Sequence, residues 1–198
     1  TNLSLSLVNI MYNYQLMRLI GEEGVAAYGV VMYVSFIFVS VFLGYSVGVA
    51  PVIGYNYGAG NKDELKNVLK KSLVLVAICG AAMFGLSMAL RTPLSYAFVS
   101  GSDKLMQLTK DAFFIYNFVY LIVGFNIFSS AFFTALNNGV ISLVISFMRT
   151  LVFQVAAVLL LPLAMGLDGV WFAPVAAEIL GIVLTVIFFL TQRKRYGY

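Results

Sequence analysis

The stretch LVLVAICGAAMFGL, residues 73–86, decides the fold. It sits inside an uncharged run, residues 72–90, bounded by Lys71 and Arg91. As a helix rising about 1.5 Å per residue, a run of that length matches the roughly 30 Å hydrocarbon core of a bilayer. Further apolar segments cover residues 3–20, 25–55, 112–136, 140–165 and 169–190. Apolar residues make up 62% of the chain and charged residues 10%, against roughly 45–50% and about 25% in soluble domains. A water-soluble core of this size has no means of hiding so much apolar surface. The reading is an all-α integral membrane protein, a six-helix transmembrane bundle forming one domain over residues 1–198.

Turn chemistry separates the segments. Gly21 to Gly24 read as a tight polar turn, Asn137, Asn138 and Gly139 as a strong turn signal, and Gly166 to Asp168 as a short hairpin. The second segment is longer than a bilayer is thick, so it must tilt, kink or protrude. Pro51, with Gly44, Gly48 and Gly54 around it, marks where a kink is cheapest and where small residues let backbones approach. GAGNKDELKNVLKK, residues 58–71, reads as a polar loop leading into an amphipathic helix start, with Asn61 or Asp63 as its cap. The third segment is expected to stop at Arg91, with Pro93 barring continuation. TPLSYAFVSGSDKLMQLTKD, residues 92–111, is then expected to lie along the interface as the longest connection.

Charge placement sets the expected orientation. The net charge is +4 and the pI about 9.2, but the basic residues stand at segment ends instead of forming a face for nucleic acid. Lys62, Lys66, Lys70, Lys71, Arg193, Lys194 and Arg195 fall on one side. Arg18, Arg91, Lys104 and Lys110 fall on the other. Cytoplasmic loops retain positive charge, so the first side is expected to be cytoplasmic and to hold the carboxyl terminus.

Several functions are excluded by residue type. There is no histidine, and Cys79 is the only cysteine. That rules out internal disulfides, zinc or haem sites built on His or Cys, and Ser-His-Asp or Cys-His catalysis. GYNYGAGNK, residues 54–62, lacks the spacing of a phosphate-binding loop and follows no strand. No catalytic residue and no metal site is expected. The opening TNLSLSLVNIMYNYQ has no basic leader, no cleavage site and no initiating methionine. The chain is therefore expected to be an internal part of a longer protein.

Polar groups inside spanning segments are costly, which makes them the default place to look for function. Glu178 lies near the middle of the sixth segment and Arg149 about ten residues in from the start of the fifth. The two segments form a hairpin, so a rise of about 1.5 Å per residue places both side chains within one or two turns of depth. An ion pair is geometrically plausible. In one reading, Glu178 takes up a proton or cation or meets a cationic substrate. In the other, the pair neutralises itself and fixes the packing of its hairpin. Asn9 and Asn13, spaced i, i+4, share a helix face. With Asn117, Asn126 and Gln154 they line a wet cavity or hydrogen-bond between helices. Met32, Tyr33, Phe36 and Phe38, and Phe113, Phe114, Tyr116, Phe118 and Tyr120, supply the thioether and aromatic faces that a pocket for lipophilic cations needs. They serve equally well as lipid-facing or core residues.

One run is more specific. GVAPVIGYNYGAGNKDELK, residues 48–66, resembles the segment that closes the second helix of each half of the multidrug and toxic compound extrusion (MATE) transporters. Further matches follow in the family's order: IGEEGVAAYGV, SSAFFTALNNGVISLVISFMRTLVF and LPLAMGLDGVWFAPVAAEIL. Together they resemble the carboxyl-terminal half of a bacterial MATE protein over nearly the whole chain.

The resemblance implies one lobe of a two-lobe transporter that alternates between outward and inward openings. The activity implied is efflux of cationic, amphipathic drugs, driven by proton or sodium flow without a cofactor. The partners implied are membrane lipids, the amino-terminal lobe and small cationic drugs, with no nucleic acid. The location implied is the cell membrane, crossed many times. Some branches of the family carry cation-binding carboxylates on the first and fourth helices of this lobe; here those helices offer Asn9, Asn13, Asn117 and Asn126. The alternatives are a lipid-linked oligosaccharide flippase of the same superfamily and a non-transporting structural subunit. A flippase needs a strongly cationic cavity, and Arg149 is the only basic residue deep in a segment.

Overall fold

The computed structural model describes residues 2–99 and 102–198, and the side chains of these from Ser4 onward. Six helices follow one another: α1 (Asn2–Ile20), α2 (Glu22–Gly58), α3 (Lys62–Phe98), α4 (Asp103–Ala135), α5 (Gly139–Met165) and α6 (Leu167–Tyr196). Among the described residues there is no strand. Asn61 caps α3 by accepting from the Glu64 amide, Ser102 caps α4 through the Leu105 amide, and Asn138 caps α5 through the Ile141 amide. Each side chain satisfies one of the amide donors left open at a helix start. The reversals before α5 and α6 place Asn137 and Gly166 at φ 59°, the left-handed region that Gly and Asn enter at least cost.

The helices are longer than the apolar segments within them. The lysine-bearing stretch after Asn61 joins the third segment as one 37-residue helix. Pro93 does not end that helix, which runs on to Phe98. Most of the stretch expected to lie along the interface is therefore helical, as the end of α3 and the start of α4. Ser100 and Gly101 of that stretch, and Thr1, lie outside the described residues. All four prolines, Pro51, Pro93, Pro162 and Pro174, lie inside helices. A bilayer bundle tolerates this because neighbouring helices and hydroxyl side chains re-satisfy the freed backbone groups.

Five helices, α2 to α6, are long and apolar enough to cross a membrane. The 19-residue α1 is packed into the same bundle but is less apolar than these five. Asn9, Asn13, Gln15 and Arg18 dilute its apolar character, and two of these amides find partners inside the bundle. Tyr28 donates to the Asn9 side-chain carbonyl at 2.8 Å, and the Gln15 amide donates to the Val158 carbonyl at 3.3 Å.

Helix α2 shows how the bundle is built. Its buried face carries Ala27, Val31, Val34, Phe38 and Phe42, a stripe spaced three and four residues apart. Its opposite face is also apolar, with Tyr33, Ile37, Val41 and Val47 exposed. A helix apolar all round belongs in lipid. Gly44, Gly48 and Pro51 lie on that outward face, and nothing of this chain comes within 4 Å of a Cβ built on Gly44 or Gly48. Gly54 meets only ordinary contact, 3.5 Å from the Ala135 carbonyl. The expected close approach occurs elsewhere. A Cβ on Gly80 would meet the Tyr120 carbonyl at 2.9 Å, and one on Gly181 the Asn126 amide at 2.7 Å.

The two ends of the bundle are tied differently. At one end Lys104 pairs with Glu23 at 2.5 Å, joining the starts of α2 and α4. At the other, the Asn138 amide donates to the Tyr196 hydroxyl at 2.8 Å, and Tyr198 packs edge-on against Phe132 and Phe189. Burial, with Tyr196 nearby, pushes the Tyr198 hydroxyl above its ordinary 10.0. It thus remains a donor to the Phe189 carbonyl, at 3.4 Å.

Candidate functional site

A cavity of about 150 Å³ opens among all the helices except α3. Helix α1 contributes Asn9 and Tyr12, α2 contributes Tyr28, Met32, Ser35 and Phe36, and α4 contributes Tyr116. Helix α5 contributes Arg149, Thr150 and Gln154, and α6 contributes Pro174 and Glu178.

The charged pair sits at its wall. Arg149 Nη1 donates to Glu178 Oε1 at 2.7 Å, with the glutamate side chain 5% exposed and the arginine 14%. The second carboxylate oxygen, Oε2, accepts from Asn126 Nδ2 at 2.7 Å. The same amide reaches the Glu178 main-chain carbonyl at 2.9 Å, and Thr185 holds the Asn126 oxygen at 3.1 Å. Both carboxylate oxygens are thus occupied by donors on two different helices. On the arginine, Nε is buried without a partner. Charges withdrawn from water are tolerable only when paired and hydrogen-bonded. The carboxylate meets that condition fully and the guanidinium only in part.

Local irregularities aim these residues. Helix α5 contains a π turn over Met148–Val152. In a regular α-helix of 3.6 residues per turn, positions 149 and 154 point about 140° apart. The wider turn, with its i to i+5 bonding, brings residues five apart onto one side. Arg149 and Gln154 consequently line the same cavity. Helix α4 tightens to a 3₁₀ turn over Asn117–Leu121, where Gly80 of α3 lies against the Tyr120 carbonyl.

An aromatic wall faces the pair. Tyr12 and Tyr28 stack with ring centres 5.1 Å apart and planes 7° from parallel. Their hydroxyls are fixed, Tyr12 donating to Gln154 Oε1 at 2.7 Å and Tyr28 to Asn9. The hydroxyls of Ser35 and Tyr116 share a hydrogen bond of 2.8 Å. Between α4 and α5, Ser146, Ser130, Ser142 and Thr134 form a run of hydroxyls linked at 2.7, 2.9 and 2.6 Å.

The structure brings together Arg149, Glu178, Asn9 and Gln154 at the cavity, with Asn126 one layer behind Glu178. Asn13 and Asn117 are not part of it. The inward stripe of α1 is Val8, Tyr12 and Leu16, so Asn9 and Asn13 both flank it, and only at Asn9 does a partner from α2 lean across. Asn13 is exposed. Asn117 is fully buried but faces α3, accepting from Ser87 at 2.5 Å. Among the aromatic and methionine candidates, Met32, Phe36 and Tyr116 line the cavity. Phe38, Phe113 and Tyr120 are core, while Tyr33, Phe114 and Phe118 are exposed. Tyr12, Tyr28, Ser35, Thr150 and Pro174 join the lining without having been singled out from the sequence. Spacing was the available signal for one of them, since Pro174 stands four residues before Glu178 on α6.

The fold is similar to those of solved transporters. An outward-facing multidrug resistance MATE family transporter of the MOP superfamily superimposes with a TM-score of 0.86 at 24% identity, covering 98% of this chain and 43% of that one. An inward-facing one gives 0.86 at 23% identity, over 98% and 44%. A MOP superfamily transporter from Pyrococcus furiosus Vc1, with a binding pocket of reverse polarity, gives 0.84 at 24% identity, over 98% and 43%. The chain therefore spans less than half the length of the structures it resembles. None of the curated proteins compared matches it in sequence. The MatE family model matches residues 1–160, and the chain, an all-helical membrane bundle with the fold of a MATE transporter half, belongs to the MatE family.

Proposed function

We propose that this chain is the carboxyl-terminal half of a secondary active multidrug exporter, which exchanges cationic amphipathic compounds for protons or sodium ions by alternating access. The observation that carries this reading is the cavity itself: aromatic and thioether side chains converge on a buried carboxylate whose single counter-charge is Arg149. Aromatic faces and Met32 give adaptable contact to a lipophilic cation. Glu178 gives it a charge to meet, provided that Arg149 yields. Protonation of Glu178, or a metal cation bound to it, removes that charge and expels the substrate. Exchange then follows from competition for one carboxylate.

Alternating access requires a second lobe to rock against this one. Equal similarity of fold to outward-facing and inward-facing transporters supports a lobe that moves as a rigid unit. The lysine and arginine count supports a cell-membrane location with the carboxyl terminus cytoplasmic. The test is drug and cation efflux from vesicles holding this chain alone, beside vesicles in which it is co-expressed with a separate amino-terminal lobe. Transport by the pair only is the expected result. Transport by the chain alone would show that it pairs with itself and would overturn the two-lobe assignment.

A further inference from the structure

We propose that the lysine-rich part of α3 binds one anionic phospholipid, its phosphate between Lys70 and Lys71 and an acyl chain along Val74, Leu75 and Ile78. A groove of about 410 Å³ runs there, lined by Asn67 and these five residues. Their three- and four-residue spacing puts them on one face of the helix. The apolar three are 53%, 41% and 61% exposed. Both lysines are exposed, and neither joins an ion pair among the described residues. The nearest carboxylate along the face, Glu64, accepts from the Asn67 amide through both oxygens at 3.2 Å. Lys70 and Lys71 lie six and seven residues further along the helix, about two turns away, and form no ion pair with it.

Depth selects a lipid over a soluble anion. Arg91 follows Lys71 by twenty positions, about 30 Å of helix and one hydrocarbon thickness. The lysines therefore stand at headgroup level, and Val74 to Ile78 lie in the acyl region below them. A free phosphate would use only the lysines, whereas a phospholipid uses the whole groove. A zwitterionic lipid carries its own ammonium, which the lysines repel.

The probe is phosphatidylglycerol, with phosphatidylcholine and inorganic phosphate as comparisons, bound to the full chain in neutral detergent and read by native mass spectrometry. Retention of phosphatidylglycerol over phosphatidylcholine is expected. Lysines near an anionic surface each strengthen binding about fivefold, so K70Q/K71Q should lower retention roughly tenfold or more. K194Q/R195Q removes the same charge from α6 and should leave retention unchanged. Ile78→Asn should weaken the diacyl lipid while leaving both lysines in place. Apart from the stacking of Arg195 on the Tyr196 ring, none of these exposed side chains makes a hydrogen bond or ion pair among the described residues, so the fold persists in each variant. Equal loss in K194Q/R195Q, full retention in K70Q/K71Q, or displacement of the lipid by inorganic phosphate would each overturn the site.

Discussion

Asn126 and Glu178 are joined twice, by one amide group that donates to the glutamate's side-chain oxygen at 2.7 Å and to its main-chain carbonyl at 2.9 Å. The double contact fixes both where the carboxylate points and how far α6 turns against α4. Asn126→Ala leaves the buried Oε2 without that donor, and a buried acceptor left open costs about 1–3 kcal/mol. We expect a lower unfolding midpoint in thermal melts of the purified chain. An unchanged midpoint would mean that Arg149 alone satisfies the carboxylate.

The Arg149–Glu178 pair separates bracing from transport. Removing one partner of a buried pair costs about 3–5 kcal/mol, whereas replacing both by apolar residues is often neutral. Glu178→Gln is therefore expected to destabilise the chain, and Arg149→Met with Glu178→Leu to recover most of the loss. If Glu178 is also the exchange site, the double variant of the full transporter folds but confers no drug resistance. Resistance retained at equal expression would leave the pair a purely structural brace.

The hydroxyl run between α4 and α5 is held at its centre by Ser130, which meets both Ser142 and Ser146. Hydrogen bonds between membrane helices contribute about 0.6 kcal/mol on average and up to roughly 1.7. Ser130→Ala should cost two such contacts, and Thr134→Val at the exposed end only one. Unfolding free energies in mixed micelles should rank the variants in that order.

Close packing gives a sharper contrast between glycines. A methyl group on Gly181 would lie 2.7 Å from Asn126 Nδ2 and force it away from Glu178. Gly181→Ala is expected to destabilise the chain by an amount close to that of Asn126→Ala, and the double variant to add little. Gly48→Ala should leave the isolated chain unaffected, because open space surrounds that position. If that outward face of α2 meets the second lobe, Gly48→Leu would still weaken co-purification of the two.

The sequence by itself determined that the chain is a membrane bundle, where most of its helices reverse, and that Arg149 and Glu178 stand at similar depth on neighbouring helices. Segment length, turn residues and rise per residue are local quantities, and local chemistry controls them. Tertiary structure decided the rest: that Asn126 and not Asn117 or Asn13 serves the pair, that Gly181 rather than Gly44 is the close approach, and that Pro93 lies inside a helix. The reason is physical. Helices apolar on every side carry little periodicity to mark which face turns inward. A polar side chain in such a helix is satisfied by whichever neighbour the crossing brings within reach. The π turn that swings Arg149 and Gln154 to one side has no glycine or proline within it, and only the packed bundle reveals it.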